Sequence, residues 1–349
     1  MSIVNIGSIC KIIGGSTPST KNNNLWKKEI PFYSLADLLI NVASRYISIE
    51  NNKFIDEPAI LFSSTATIGN VCYVEEKCWF NDQIKAFISK DSNVLNTKYL
   101  YYWFLNNKHI IKSQANKGSV FSSIGIKELV NMKINLPSIE EQNAIISIIE
   151  PLDILENKIN KLKTVLKKLL INIYDKNCNS HVNLFENNKI YTNKYLNQNL
   201  YCDTSCIGEL EINFSKMINI SLEDKPSRAD LSIKNNSIIF SKLLGENKVY
   251  CFLNNENIVF STGFFNIKSN DENNDDLLSF LLSSDFKNQK SMLANGTTMI
   301  GINNSDLTKV RCKAPFLNSN IYFTFFNKLN EIENKITLAR NKIVNLLIK

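Results

Sequence analysis

The sequence has little of what a metal site or a phosphate-binding loop requires. Its two histidines, His109 and His181, stand alone, and Cys202 and Cys206 are the only closely spaced pair with plausible ligand spacing among eight cysteines. No second Cys or His pair completes a zinc site. The 11 glycines include no Gly-x-x-x-x-Gly-Lys-Ser/Thr loop, and there is no Asn-Pro-Pro-aromatic segment for adenine methylation. We therefore expect no catalytic residues, no metal and no cofactor on this chain.

Long apolar runs are also absent. The amino terminus has no basic stretch ahead of an apolar run, and no segment approaches the roughly 18 apolar residues of a membrane helix. This predicts a cytoplasmic protein with reduced cysteines. The 349 residues are 44% hydrophobic, enough for two domains with separate cores. The net charge of +7 is compatible with a nucleic-acid partner but does not prove one.

An internal repeat organises the chain. Ile60-Leu61-Phe62-Ser63 matches Ile238-Ile239-Phe240-Ser241, residues 99–118 match residues 277–296, and Pro137 matches Pro315. The offset is constant, since 238 − 60, 296 − 118 and 315 − 137 all give 178. Residues 156–159 match residues 333–336 at an offset of 177, and residues 34–37 resemble residues 221–224 at a larger shift. Such constancy indicates duplication.

Each copy begins with a module of short strands. In the first copy, β-branched and aromatic residues cluster at 59–65, 70–74 and 79–88, and residues 64–70 are a candidate hairpin tip. A helix is predicted near 97–112, with Leu100, Trp103, Phe104 and Ile111 on one face. We expect Trp79 and Trp103 to lie in the core.

A long helix is predicted to follow each module. Ser138 and Glu141 have capping-box spacing, and apolar residues then recur at alternating intervals of three and four, as in a coiled coil. The first seam is Ile145, Ile148, Leu152, Leu155, Ile159, Leu162, Leu166, Leu169 and Ile173; the second is Tyr322, Phe325, Leu329, Ile332, Ile336, Ala339, Ile343 and Leu346. The helices are predicted to pack on each other; the alternative is that each lies on its own domain.

The two helices differ in detail. Pro151 lies within the first seam, where it is expected to kink or break the helix. The second helix begins with Asn318-Ser319-Asn320 in place of Glu-Glu-Gln, so its start is predicted to be built differently. A helix of about 30 to 35 residues is roughly 45 to 55 Å long, more than one DNA turn of about 34 to 36 Å. An antiparallel pair of this length would hold two modules a fixed distance apart.

These features together resemble the specificity (S) subunit of type I restriction–modification systems. The matching motifs are the stretch 15–19 (Gly-Ser-Thr-Pro-Ser), the stretch 26–34 leading to Asp37, the step Gly118-Ser119, and Leu136-Pro137 with Glu141-Gln142. The resemblance covers the whole chain, and the order of the motifs is more specific than any one of them. The second copy departs from the pattern, because it keeps Gly296 and Pro315 but lacks the Gly-Ser-Thr-Pro-Ser stretch and the Glu-Gln pair.

The resemblance implies an α+β fold with two tandem target-recognition domains, two long antiparallel coiled-coil helices and a pseudo-twofold repeat. The domains would be residues 1–137 and 178–315, and the helices residues 138–177 and 316–349. In that family the subunit is not an enzyme. It binds a bipartite double-stranded DNA site, while the helices set the gap and dock two methyltransferase subunits that use S-adenosylmethionine, and restriction subunits also join some complexes. The residues assigned to docking are Glu141, Gln142, Ile145, Leu152, Ile159, Leu166, Leu329, Ile336 and Ile343.

Candidate DNA contacts are polar residues in predicted loops, with lysines for phosphates and Asn or Gln for base edges. For any single candidate, a solvated surface residue is the competing interpretation. The first module offers Lys21, Lys27, Lys28, Ser64, Thr65, Thr67, Asn70, Asn81, Gln83, Lys117 and Ser119. The second module offers Arg228, Lys242, Asn247, Lys248, Asn295, Thr297 and Thr298.

Two other functional classes explain less of the sequence. A coiled-coil scaffold that binds only proteins explains the helices but gives the duplicated module no role. A metal nuclease would need acidic ligands, yet the spacing of Asp37 and Asp82 fits no such motif, and Asp82 aligns with Thr262 in the second copy.

Overall fold

The computed structural model describes residues 2–48, 54–65, 67–113, 116–117, 122–254, 257–297 and 300–348. The chain divides into two units, and each contains part of both long helices. Unit 1 comprises Met1–Ile154 with Thr337–Lys349, and unit 2 comprises Leu155–Ile336. Helices and strands are mixed in both units, so the fold is α+β, as predicted.

The first half of the chain contains eleven strands and five short helices among the described residues. In chain order they are β1 (Ser2–Asn5), α1 (Ile6–Ile9), β2 (Cys10–Gly14), β3 (Ile30–Tyr33), α2 (Asp37–Ile40), β4 (Arg45–Ile47), β5 (Ala59–Ser63), β6 (Val71–Val74), β7 (Trp79–Phe80), β8 (Ile84–Ser89), α3 (Thr97–Asn106), α4 (Lys108–Ser113), β9 (Asn116–Lys117), β10 (Ser122–Ser123), α5 (Ile126–Asn131) and β11 (Lys133–Leu136).

The first long helix follows, and then a second set of elements. These are α6 (Ile139–Lys176), β12 (His181–Asn183), α7 (Leu184–Asn187), β13 (Asn188–Tyr191), β14 (Leu200–Cys202), β15 (Ile218–Asn219), β16 (Ala229–Ser232), β17 (Ser237–Ser241), β18 (Val249–Phe252), β19 (Ile258–Ser261), β20 (Phe264–Ser269), α8 (Asn274–Leu282), α9 (Ser284–Leu293), α10 (Asn304–Leu307), β21 (Arg311–Lys313) and α11 (Ile321–Leu347).

Each unit is built on a four-stranded antiparallel sheet. The strand order is β2-β8-β5-β6 in unit 1 and β13-β20-β17-β18 in unit 2. In both units a second sheet contains one parallel pair, β3 with β7 and β14 with β19. The two units therefore share the order of their paired strands.

One inner strand of each main sheet, β5 in unit 1 and β17 in unit 2, is buried along its whole length, which explains its continuous apolar sequence. Alternate side chains enter different cores because successive residues of a strand point to opposite faces. In β5, Ile60 and Phe62 pack with α3, whereas Leu61 packs with Phe32 and Trp79. The predicted helical face and the buried positions of both core tryptophans are confirmed, although Asn107 separates α3 from α4.

The start of α6 follows the predicted capping box. The Ser138 backbone N–H donates to Glu141 Oε2 at 3.0 Å, and the Glu141 N–H donates to Ser138 Oγ at 3.3 Å. The helix continues through Pro151, so of the expected kink or break the break is wrong. Pro151 is exposed, and water can therefore satisfy the carbonyl group that its missing N–H leaves free.

The start of α11 is held by two aspartates of α8, which the sequence did not predict. Asp275 accepts hydrogen bonds from the backbone N–H groups of Tyr322 and Phe323 at 3.1 and 2.8 Å. Asp276 accepts from the backbone N–H groups of residues 316–318 at 3.0 to 3.2 Å. Carboxylates thus satisfy N–H groups at the start of the helix and in the segment leading to it.

The two long helices make polar contacts with each other inside each unit. In unit 1, Arg340 of α11 pairs with Asp153 of α6, which also accepts a hydrogen bond from Tyr102 at 2.7 Å. In unit 2, Lys163 of α6 pairs with Glu333 of α11 at 2.6 Å. In unit 1, the first part of α6 therefore contacts the last part of α11. In unit 2, the later part of α6 contacts the earlier part of α11.

Removing the carboxylate of Glu333 is expected to destabilise unit 2. The Lys163 side chain is only 7% exposed, so Glu333→Gln leaves its ammonium group without a charge partner. We expect a loss of about 2 kcal/mol in the free energy of unfolding, measured by urea denaturation. The double variant Lys163→Met with Glu333→Leu should recover most of the loss. Equal stability of the single variant and the parent would contradict a stabilising role of the Lys163–Glu333 ion pair.

The predicted seam does not form one buried line. Ile145, Ile159, Leu329 and Ile336 are buried, whereas Leu152, Leu166 and Ile343 are half-buried. The alternating members are exposed, because a spacing of three and four places successive residues on two edges of a stripe. These exposed residues lie seven apart: Ile148, Leu155, Leu162 and Leu169 on α6, and Phe325, Ile332, Ala339 and Leu346 on α11.

No helix in the described part of the chain has the length and apolar character needed to cross a membrane.

Candidate functional site

The same backbone framework joins three segments in both units. In unit 1, Ser64 N–H donates to the Gln83 carbonyl and Ile124 N–H donates to the Ser64 carbonyl, both at 2.9 Å. In unit 2, Lys242 N–H donates to the Gly263 carbonyl, and the N–H of residue 302 donates to the Lys242 carbonyl, again at 2.9 Å. In each unit, the end of a strand (at Ser64 or Lys242) is thus hydrogen-bonded to a tight turn and to a later hairpin.

The hairpin tip predicted at residues 64–70 is confirmed in unit 1. It connects the antiparallel strands β5 and β6, and Ser63 N–H donates to the Asn70 carbonyl at 2.9 Å. Ser64 is buried and its hydroxyl donates to the Gln83 carbonyl at 2.8 Å, so its side chain has a structural role. Thr67 is exposed at the tip.

Thr65 and Asn81 carry buried oxygens without a hydrogen-bond partner among the described residues. Thr65 bridges to Ser123, and Asn81 N–H donates to the Tyr33 carbonyl at 3.1 Å. The backbone of Thr65 thus joins the segment of Ser123, the backbone of Asn81 joins the end of β3, and both side-chain oxygens have unused hydrogen-bonding capacity. Ser119 lies outside the described residues, as does the side chain of Lys117.

Two lysines outside the predicted set of DNA contacts lie beside these loops. Lys108 of α4 donates to the Asn70 side-chain oxygen, and its stem packs under Gly69, whose φ is +84°. Lys85 donates to the Asp82 carbonyl at 2.6 Å. Burial lowers the pKa of both lysines, and Lys112 adds to the effect at Lys108 while Asp82 opposes it at Lys85. Lys108 lies in a helix and Lys85 in a strand, so no loop pattern in the sequence marks them as candidate contacts.

The Gly-Ser-Thr-Pro-Ser stretch at residues 15–19 packs against the same turn. Ser16 N–H donates to the Phe80 carbonyl at 3.0 Å, and Trp79 Nε1 donates to the Ser16 carbonyl at 2.8 Å. A Cβ at position 15 would lie 2.0 Å from the Asn81 carbonyl oxygen, so only glycine fits there. The predicted contacts Lys21, Lys27 and Lys28 are exposed further along this segment.

Unit 2 has a cleft of about 340 Å³ where the segments of Lys242, Gly263 and Ile302 meet. Three of the predicted contacts, Arg228, Lys242 and Asn295, line it together. The Asn295 side chain donates to Asp306 at 3.2 Å, and its backbone pairs with Gly301. Thr297 is exposed next to this hairpin, and Thr298 lies outside the described residues.

Asn247 and Lys248 are not part of this cleft lining. The Asn247 amide donates to Glu209 at 3.0 Å and to the Leu281 carbonyl at 3.1 Å. Lys248 donates to the Thr204 carbonyl at 2.6 Å. Both side chains hold a neighbouring loop in place, so the structure gives them internal roles.

Two cationic side chains, Arg228 and Lys242, line the cleft of unit 2, and Lys290 lies beside it. No ion pair among the described residues includes Arg228, Lys242 or Lys290. Lys290 is 6% exposed and donates to the carbonyl of Ser241, and burial lowers its pKa to about 8. Burial also lowers the pKa of Lys242, which lies over the Phe265 ring. Uncompensated cations of this kind favour an anionic or electron-rich ligand.

The acidic residues considered for a nuclease have other positions. Asp37 is buried and accepts hydrogen bonds from the Ser34 N–H and hydroxyl at 2.7 Å, which fixes a turn. Asp82 is exposed, 3.5 Å from the Thr17 hydroxyl. Within the described ranges, no three His, Cys, Asp or Glu side chains cluster as metal ligands.

Two residues assigned to partner docking are at the start of α6. Gln142 is fully buried, where its oxygen accepts from Asn96 N–H at 2.9 Å and its amide donates to the Val94 and Pro137 carbonyls. It joins the helix to its own unit. Glu141 is exposed and engaged in the capping box.

The similar known proteins are specificity proteins of type I restriction systems. Residues 1–168 match the type I restriction modification DNA specificity domain. The type I restriction enzyme MjaVIII specificity subunit of Methanocaldococcus jannaschii is 23% identical over 99% of this chain and 91% of its own length. The EcoR124I/EcoR124II specificity subunit of Escherichia coli is 29% identical over 45% of this chain and 42% of its own length.

A solved structure has the same fold. The S subunit of a type I restriction–modification system from M. genitalium superposes with a TM-score of 0.57 at 12% identity, covering 100% of this chain and 96% of that one. The resemblance carried by the motifs is therefore confirmed as a similarity: residues 1–168 match the DNA specificity domain, and nearly the whole chain is similar to the MjaVIII specificity subunit.

Proposed function

We propose that the chain is the non-catalytic DNA-specificity subunit of a type I restriction–modification complex, with each unit recognising one half of a bipartite site. The observation that carries this proposal is the shared framework around Ser64 and Lys242, which presents different side chains at equivalent positions. One scaffold with two sets of polar groups is what two different half-sites require. The recognition domains would be residues 1–137 and 178–315, joined by the two helices.

The helices serve as a spacer in this proposal. The contacts of Asp153 with Arg340 and of Lys163 with Glu333 fit an antiparallel pair, since the numbering rises along α6 while it falls along α11. Such a coiled coil would fix the gap between the two half-sites. The duplicated sequence and the matching strand orders support a pseudo-twofold relation between the two copies.

The exposed heptad positions of both helices would dock the methyltransferase subunits. Apolar side chains at seven-residue spacing line up along one side of a helix, where a partner helix can cover them. Leu155 and Leu162 are 43% and 42% exposed, and Phe325 and Ile332 are 50% and 45% exposed. Docking thus falls to these residues more than to the buried Ile145, Ile159, Leu329 and Ile336. S-adenosylmethionine would be bound by the partner.

Charge on the stripe should abolish assembly without unfolding the chain. In the double variant Leu155→Asp with Leu162→Asp, two carboxylates would be buried by a partner helix, so we expect at least a tenfold loss of co-purified methyltransferase. Lys161→Asp, an exposed change one residue away from the stripe, is the matched control. Circular dichroism should be unchanged in both. Full retention of the methyltransferase by the double variant would exclude this docking face.

A footprint of the assembled complex on its target DNA tests the DNA-binding proposal. We expect two protected patches separated by a less protected gap, with affinity that falls steeply as salt increases because lysines neutralise phosphates. One continuous short patch, or protection independent of sequence, would contradict bipartite recognition.

A further inference from the structure

The side chain of Arg228 lines the unit 2 cleft and is exposed. Arg228 directly precedes β16, and its carbonyl accepts a hydrogen bond from Thr262 N–H at 2.8 Å, which fixes its backbone. The register of β16 against β19 shifts between Ala229 and Leu231. A bulge of this kind redirects side chains at the end of a strand pair. The local geometry therefore aims residue 228 at the cleft, which it lines.

Gly263 provides the space that this guanidinium group occupies. A Cβ at position 263 would lie 2.9 Å from Arg228 Nη2 and 3.0 Å from Thr204 Cγ2. The first of these is tighter than a normal contact, so any larger residue would displace the end of the arginine side chain. In unit 1 the equivalent carbonyl belongs to Gln83, and so the two units differ at this point.

No aspartate or glutamate is among the described lining residues of the cleft, and Asp306, beside it, accepts a hydrogen bond from Asn295. Arg228 is exposed and lies in no ion pair among the described residues, and Lys242 adds a second positive charge to the same cleft. Arginine has a planar fork of N–H groups that matches the O6 and N7 acceptors of guanine in the major groove. Lysine acts instead as a point charge suited to phosphates.

From this geometry we infer that Arg228 is a specificity-determining residue that recognises a guanine in the half-site of unit 2, with Gly263 keeping its side chain in position. This inference rests on the proposed function. Arg228 would recognise one base pair of one half-site, and other parts of the chain would determine the other half-site and the gap.

The test uses the chain assembled with its methyltransferase, and measures methylation at the wild-type motif and at motifs with one changed base pair. For Arg228→Gln, and for Arg228→Lys, which keeps the charge, we expect discrimination at one G·C pair to fall by about tenfold to a hundredfold. Gly263→Ala should relax the same position without removing the arginine. Discrimination at every other position should stay as in the wild type.

Arg311→Gln is the matched control, because Arg311 lies in β21 and donates to the His181 carbonyl at 2.7 Å, outside the cleft. A uniform loss at all sequences for Arg228→Gln, with recovery in Arg228→Lys, would show a phosphate contact and overturn the inference. Unchanged specificity in all three cleft variants would overturn it as well. Absence of any bipartite motif in the wild type would instead refute the proposed function.

Discussion

Replacing Asp275 with alanine is expected to cost unit 2 about 4 kcal/mol, because charged hydrogen bonds contribute roughly 1.5 to 3 kcal/mol each and several are lost together. The side chain is fully buried, and it accepts from Tyr322 N–H, Phe323 N–H and the Ser319 hydroxyl, the last at 2.6 Å. All three donors would be left without this partner. The start of α11 would then fray, and with it the packing of Phe323 in the core of unit 2.

The measurement is urea unfolding followed by two probes. The three tryptophans, Trp26, Trp79 and Trp103, all lie in unit 1, so their fluorescence reports on that unit, whereas far-UV circular dichroism reports on both. We expect the circular dichroism midpoint of Asp275→Ala to fall more than the fluorescence midpoint. Glu272→Ala, an exposed change on the preceding turn, should leave both midpoints unchanged. Equal effects of the two variants would show that Asp275 does not cap the helix.

Inserting one heptad into each long helix should lengthen the gap between the half-sites by about three base pairs. Seven residues add about 10 Å of helix, and DNA rises about 34 to 36 Å over 10 to 10.5 base pairs. Insertion after Ile154 in α6 and after Ile336 in α11 places the new residues at the boundary between the units. Seven residues preserve the spacing of the exposed stripe, so methyltransferase docking should survive.

Mapping of the methylated motif checks this prediction. The bases of both half-sites should stay the same while the number of intervening base pairs increases. A heptad in α6 alone is the control, because it shifts buried residues such as Ile159 relative to α11 and should abolish specific methylation. An unchanged gap in the double insertion would refute the spacer role of the helices.

The sequence predicted the features that depend on neighbours close in the chain. The capping box of Ser138 and Glu141 and the hairpin tip after Ser63 are confirmed because each rests on contacts within a few residues. The burial of the apolar run in β5 is likewise a property of the local pattern. Periodicity also located the long helices, but it does not say which edge of an apolar stripe is covered. The exposure of Leu155 and Leu162 therefore came only from the structure.

The unit 2 cleft was predicted only in part, because residues far apart in the chain form it. Arg228, Lys242 and Asn295 were selected as separate loop residues, and only the fold places them around one cleft. Asn247 was selected on the same grounds, yet Glu209, 38 residues earlier, draws its amide inside the unit. Lys290 was missed because it approaches Ser241 from a helix that carries no loop pattern. Long-range partners of this kind leave no local pattern in the sequence.

Mapping methylated adenines in DNA exposed to the complex of this chain with its methyltransferase tests the central claim most directly. We expect one motif of two separated specific parts with a gap of fixed length, and we expect substitutions in the unit 2 cleft to alter one part only. A single undivided motif, or methylation without sequence preference, would contradict it.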